Sequence, residues 1–229
     1  MALRTARDAM SRIFFQRCFY LFVMLMALIV MAPFLPGTPT GRIVTNFINA
    51  FVVVATVAAV GRSTYSFTLV LLLAIPTLGF QWLGIDEAEP YWLVRSWVAG
   101  ALLYFATLVY LLRYVFQRDV MTADKLFGAA AGYLMLAILW AYLYAIIEYA
   151  YPRSFLVAGQ ASGLEFYDGL YFSMTVLTST GFGDIVPLSR PARAVCMVEQ
   201  VTGALFVAIL IARLAGVYPP QRGRLAGDE

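Results

Sequence analysis

Between residues 163 and 187 the chain reads Gly163-Leu-Glu-Phe-Tyr-Asp-Gly-Leu-Tyr-Phe-Ser-Met-Thr-Val-Leu-Thr-Ser-Thr-Gly-Phe-Gly-Asp-Ile-Val-Pro187. Its first part, Glu165 to Thr178, begins with acids and carries apolar residues at helical spacing, which predicts a short helix. That helix runs into Ser179-Thr180-Gly181-Phe182-Gly183-Asp184, two glycines flanking one aromatic. Gly181 and Gly183 permit a positive φ, so successive carbonyls can point to one side of the strand instead of alternating, while Phe182 anchors it in the surrounding protein. Such irregular backbone is tolerated at membrane depth only where protein buries it or where it lines a water-filled path.

The rest of the chain places this stretch in a bilayer. Apolar residues make up 62% of the 229 and charged residues 13%, with a mean hydropathy of +0.80, whereas soluble domains run nearer half apolar and a quarter charged. Sixteen Lys+Arg and thirteen Asp+Glu are too few to cover a water-soluble exterior of this size. A helix that spans a bilayer needs about 20 mostly apolar residues. Six segments qualify, approximately Phe14–Ala32, Ile43–Val60, Phe67–Ile85, Tyr91–Leu112, Leu126–Tyr149 and Ala194–Val217. The expected fold is all-α and integral to the membrane: six transmembrane helices, with a re-entrant pore helix and filter between helices five and six.

The connections carry turn chemistry, as in Pro33-Phe34-Leu35-Pro36-Gly37-Thr38-Pro39, Gly61-Arg62-Ser63 and Asp86-Glu87-Ala88-Glu89-Pro90. Arg4, Arg7, Arg12 and Arg17 precede the first apolar run, as they would in a secretory signal, but the run is long for one and is followed by prolines, so a retained helix is expected. Positive charge then sets the orientation. With the N-terminus inside, Arg62, Arg113, Arg118, Lys125, Arg222 and Arg224 are cytoplasmic, and Asp86, Glu87, Glu89, Glu165, Asp168 and Asp184 face out. The chain thus divides into a peripheral four-helix domain (1–120), a pore domain (121–218) and a short cytoplasmic tail (219–229), with no room in the tail for a soluble ligand domain. Both termini lie in the cytoplasm of a multi-pass protein of the cell (inner) membrane.

Enzymatic and metal chemistry find no support. There is no His, and Cys18 and Cys196 have no metal-ligand spacing and fall near opposite membrane faces, so they read as packing residues and not as a disulfide. The net charge of +3 is dispersed, which argues against a nucleic-acid partner. No cofactor is expected, and no metal beyond a permeant ion.

The segment Ser179-Thr180-Gly181-Phe182-Gly183-Asp184 resembles the Thr-Val-Gly-Tyr-Gly-Asp signature of the pore-loop potassium channel family, in its prokaryotic six-transmembrane-helix form. Tyr171 and Phe172 match the aromatic pair on the pore helix of many members, and Ala194–Val217 matches the inner helix; the resemblance covers roughly Leu126 to Val217. It implies a homotetramer in the lipid bilayer whose filter residues Ser179, Thr180, Gly181, Phe182 and Gly183 bind K⁺ as permeant ion, with Asp184, Thr178, Tyr171 and Phe172 as filter support. Three departures stand out. Phe182 replaces Tyr and loses a hydroxyl, Ser179 replaces Thr and keeps one, and Thr180 replaces Val and must find a hydrogen-bond partner, since an unpaired buried hydroxyl costs about 1–3 kcal/mol.

Other residues admit two readings each. Gly203, in the middle of the last helix, is a candidate gating hinge or a point of close helix approach. Glu148 and Glu199 either brace the pore loop and attract cations or are simply solvated at the interface. Helix four carries Arg95 near one end, with Arg113 just beyond the other, which lacks the repeated arginines that voltage sensing requires. The function expected is passive K⁺ conduction; a weakly selective monovalent cation channel and a non-conducting regulatory subunit are the alternatives.

Overall fold

The structure, a computed structural model, describes residues 17–34, 39–60, 64–84, 90–117, 122–161 and 163–217. Seven α-helices lie within them: α1 (Arg17–Met31), continued by a 3₁₀ turn at Ala32–Phe34, then α2 (Pro39–Val60), α3 (Thr64–Leu83), α4 (Pro90–Val115), α5 (Ala123–Ala150), the short α6 (Phe166–Leu177) and α7 (Arg190–Val217). Each of the six apolar segments forms a helix. Three of these are long and apolar enough to cross a membrane, over Tyr91–Val115, Ala123–Ala150 and Arg190–Ala215, while the apolar stretches in α1 to α3 are shorter among the described residues. The tail at 219–229 and the loop charges Arg62, Arg118, Asp86, Glu87 and Glu89 lie outside the described residues.

Helix α5 is the hub. It is apolar all round, which in a folded chain marks a helix buried on several sides, and it packs against α1, α4, α6 and α7. Small residues permit the closest of these contacts. A side chain at Gly128 would sit 3.2 Å from Val115 Cγ2 and 3.4 Å from Cys18 Sγ, and one at Gly132 would sit 3.6 Å from Leu108 and 3.7 Å from Phe206. Gly128 and Gly132 are therefore packing residues. On α4, Gly100 lies beneath the Tyr142 ring, where an added Cβ would stand 2.8 Å from Cζ.

The start of α5 ties three helices together. Thr122 caps it by accepting from the Lys125 amide, and Asp124 accepts from the Cys18 amide (3.0 Å) and the Tyr114 hydroxyl (2.7 Å). Lys125, expected as a loop charge, is instead in the first turn of α5 and 2% exposed, its ammonium 5.5 Å from the Tyr114 ring. Its aliphatic stem is long enough to be buried while the charge finds partners, a placement that charge counting along loops cannot foresee. Both cysteines are buried, and neither is in a disulfide.

One element is absent from the all-α expectation. β1 (Phe155–Val157) and β2 (Ile185–Pro187) form an antiparallel ribbon with Phe155 opposite Pro187, Leu156 opposite Val186 and Val157 opposite Ile185. Three residues per strand are too few for a period to show in the sequence. The ribbon joins the chain before α6 to the chain after the filter, and the Ala158 amide extends it by donating to the Asp184 carbonyl at 2.8 Å. Both ends of the functional stretch are thus fixed to each other.

Gly100→Val forces a branched side chain into the Tyr142 ring, which is itself held by the rings of Tyr104 and Phe166. The expected outcome is a loss of about 1–3 kcal/mol from overpacking, read as a lowered midpoint in thermal melts of the detergent-solubilised protein.

Candidate functional site

A helix leaves its last four carbonyls without an internal partner. In α6 all four are taken. The Met174 carbonyl accepts from the Thr178 amide (3.1 Å) and hydroxyl (2.7 Å), the Thr175 carbonyl from the amides of Thr180 (2.9 Å) and Gly181 (3.3 Å), and the Val176 carbonyl from the Ser179 amide (3.0 Å). The Leu177 carbonyl accepts the Tyr133 hydroxyl of α5 at 2.8 Å. The segment after α6 is therefore hung from the end of the helix by its own amides.

This fixes where the carbonyls go. In a trans peptide the N–H points opposite to the preceding C=O. With the amides of Ser179, Thr180 and Gly181 directed at α6, the carbonyls of Thr178, Ser179 and Thr180 face away from it. Beyond that point φ is positive at Ser179 (56°), Gly181 (58°) and Gly183 (80°), the odd positions only. Positive φ at the two glycines follows from their lack of a Cβ. At Ser179 it costs about 1–2 kcal/mol, which the hydrogen bonds on either side of it offset. Residues 178–184 are all exposed in the single chain.

Side chains cluster at the other end of this segment, around Asp184. Tyr171 donates its hydroxyl to Asp184 Oδ2 at 2.8 Å, while Asp184 Oδ1 accepts from the Ile185 amide at 3.1 Å. The ring of Phe182 lies parallel to that of Tyr171, with centroids 6.3 Å apart, so the missing hydroxyl is replaced by stacking. The bond to Asp184 raises the Tyr171 phenol above its ordinary range. Asp168 is raised too, by burial first and then by the Glu165 and Asp184 carboxylates, so three acids share this end of the filter. Phe172 sits in a second cluster behind α6 with Tyr144 and Phe155. The hydroxyl of Thr180 finds a partner in that of Thr178, 2.8 Å away.

Two acids expected at the helix ends are structural. Glu148 accepts from the amides of Arg153 (2.8 Å) and Ser154 (3.0 Å), closing the turn after α5. Glu199 of α7 is wholly buried, not solvated at an interface. One of its oxygens accepts the Tyr144 hydroxyl of α5, the other the Ser173 hydroxyl of α6 at 2.5 Å. Neither partner was legible in the sequence, since each lies on a different helix. Gly203 approaches the end of α6 so closely that a Cβ would lie 2.7 Å from the Leu177 carbonyl. In this conformation it serves close packing, and bending α7 there would draw it away from Leu177.

Replacing Glu199 isolates its role. Glu199→Ala removes the acceptor of the buried Tyr144 hydroxyl, while Ser173 keeps the Ala137 carbonyl at 3.0 Å, and is expected to destabilise the protein by about 1–3 kcal/mol; Glu199→Gln, which keeps an acceptor in the same place, is expected to retain most of the stability. Thermal melts of both variants beside the parent check this ordering, and equal losses contradict it.

Residues 129–218 match the family described as ion channel. No curated protein and no solved structure gives a significant match to the chain. The matched stretch begins in α5, contains α6 and the filter segment, and ends just after α7, so it coincides with the elements that hold the site. Over residues 129–218 the chain matches an ion channel domain, and the likeness to the pore-loop potassium channel family rests on that stretch.

Proposed function

We propose that the protein conducts K⁺ passively through a filter built from Ser179, Thr180, Gly181, Phe182 and Gly183 of four identical chains. The observation that carries this reading is the backbone of that segment, in which the amides of Ser179, Thr180 and Gly181 donate to carbonyls of α6 and φ is positive at Ser179, Gly181 and Gly183. Carbonyl rings replace the hydration shell of a cation. Each chain offers one oxygen per layer, and several are needed, so four chains around an axis complete each site.

The exposed surfaces support assembly. Phe182 is 69% exposed in the single chain, and the spanning window of α7 is 22% buried against 72% for α5. The α7 residues that face α5 and α6 recur at Ala192, Cys196, Glu199 and Gly203, spacings of four, three and four that make one stripe. Apolar residues off this stripe, including Met197, Val201 and Leu205, are uncovered in the single chain.

In this reading all six long helices span the cell (inner) membrane, α6 is re-entrant, both termini are cytoplasmic, and no cofactor takes part. Asp184, Thr178, Tyr171 and Phe172 hold the filter. The first four helices, residues 1–120, form a peripheral domain without a voltage-sensing charge pattern: α4 carries Arg95, whose guanidinium lies 3.8 Å above the Tyr91 ring, and Arg113. Steady currents with weak or no voltage dependence are expected.

A second reading, a weakly selective monovalent cation channel, draws on the exposed Thr178–Thr180 hydroxyl pair at the start of the filter segment, where an apolar side chain would leave no polar competitor for water or ion. The reversal potential separates the two. With K⁺ on one side of a planar bilayer and Na⁺ on the other, the purified protein is expected to reverse near the K⁺ equilibrium potential, and Gly181→Asp to abolish the current. Reversal near zero shows weak selectivity instead, and silence of the protein alone with current restored by a partner chain shows a regulatory subunit.

A further inference from the structure

Glu199 of α7 is wholly buried. Its Oε2 accepts the Tyr144 hydroxyl of α5, and its Oε1 lies 2.5 Å from Ser173 Oγ of α6. Ser173 Oγ in turn lies 3.0 Å from the Ala137 carbonyl oxygen of α5. A hydroxyl has one hydrogen, and neither a carboxylate nor a carbonyl has any. Beside an ionised Glu199, Ser173 can therefore fill one of its two contacts, and the other sets oxygen against oxygen with nothing between. A carboxylic acid supplies the missing hydrogen. Glu199 then donates from Oε1 to Ser173 Oγ, Ser173 donates to the Ala137 carbonyl, and Tyr144 donates to Oε2, so every hydrogen in the cluster has an acceptor.

The charge balance leads to the same assignment. A buried carboxylate needs a cation, or several donors, in place of the water it has lost. Among the described residues no lysine or arginine lies against Glu199. The titratable groups that face it are Tyr144 and Tyr133 of α5 and, on its own helix, Cys196; from α6 it meets the Ser173 hydroxyl. Tyr133 has already given its hydrogen to the Leu177 carbonyl. All three titratable neighbours are themselves weak acids, so none of them neutralises a negative charge.

We propose that Glu199 is a neutral carboxylic acid, and that the hydrogen it donates to Ser173 makes it a positioning residue for α6. The relay runs through three helices, from α7 through α6 to α5. One turn further along, Gly203 of α7 meets the Leu177 carbonyl of α6. The two contacts are thus four residues apart on both helices and fall on one face of each. They hold α6 at two heights, and the second of these is the end that carries the filter segment. Loss of the proton turns the Ser173 hydrogen toward Glu199 and releases its tie to Ala137. The location of the proton is measured without current and is independent of K⁺ conduction, whereas the consequence for the filter rests on that reading.

Infrared spectra of the full chain in lipid nanodiscs at neutral pH locate the proton. Glutamate labelled with ¹³C at the side-chain carboxyl moves the glutamate bands away from those of aspartate and lipid esters. A protonated-carboxyl band that shifts with the label is expected in the parent and absent in Glu199→Gln. Tyr144→Phe is expected to keep this band and raise its frequency, since Oε2 loses a hydrogen bond, which identifies the residue even if Glu199→Gln fails to fold. Labelled glutamates that are all ionised overturn the proposal, and so does a protonated band that neither variant alters. For the positioning role the readout is the K⁺/Na⁺ permeability ratio. It is expected to stay close to the parent in Glu199→Gln, whose amide donates to Ser173 and accepts from Tyr144, and to fall roughly tenfold in Glu199→Leu and in Ser173→Ala. A ratio that both of these leave unchanged overturns the positioning role, while a protonated Glu199 in a parent chain without selective current refutes the conduction reading alone.

Discussion

The last turn of α6 has four carbonyls to satisfy, and the way it satisfies them shapes everything around it. Three are taken by amides of the segment that follows, and the fourth by the Tyr133 hydroxyl. Had those carbonyls been capped by solvent or by a closing glycine turn, the following chain would have been free to alternate its own carbonyls as a strand does. Because the amides of Ser179, Thr180 and Gly181 are spent on the helix, the carbonyls of Thr178, Ser179 and Thr180 are left on the open side. The rest of the domain serves to hold α6 where this can happen: α5 through Tyr133 and Tyr144, α7 through Gly203 and Glu199, and the β-ribbon by tying the two ends of the stretch together.

What could be read from the sequence divides along physical lines. Apolar length gave the six long helices to within a few residues, since spanning length and hydropathy are local properties. The left-handed backbone at Gly181 and Gly183 was equally legible, because glycine is the residue that conformation selects. Ser179 was not. Its φ of 56° comes from hydrogen bonds to α6 on both sides of it, and no residue preference for that conformation exists at serine. The ribbon escaped for want of length.

Glu199 and Gly203 show why intramembrane polar and small residues resist sequence reading. A carboxylate near a helix end is solvated in most proteins, and only the presence of Ser173 and Tyr144, some 26 and 55 residues away in the chain, makes burial tolerable here. Likewise a mid-helix glycine admits either bending or close approach. Which one operates depends on whether another backbone is present at that height, and the Leu177 carbonyl is. Thr180 is the converse case. Its need for a partner was argued from burial behind the filter, yet Thr180 is exposed in the single chain and pairs with its near neighbour Thr178.

The arrangement also explains why a single chain is incomplete under the proposed assembly. α7 spends one stripe on its own chain, through Ala192, Cys196, Glu199 and Gly203, and much of its other apolar surface is uncovered among the described residues. The filter has the same asymmetry: its amides face inward to α6 and its exposed side faces outward. Lipid can cover an apolar helix face, yet it cannot satisfy backbone carbonyls, which in hydrocarbon cost several kcal/mol each. A cation shared among like chains can. The two uncovered surfaces therefore have one common solution, in which the carbonyls that α6 turns outward meet an ion on an axis and the bare faces of α7 meet their neighbours around it.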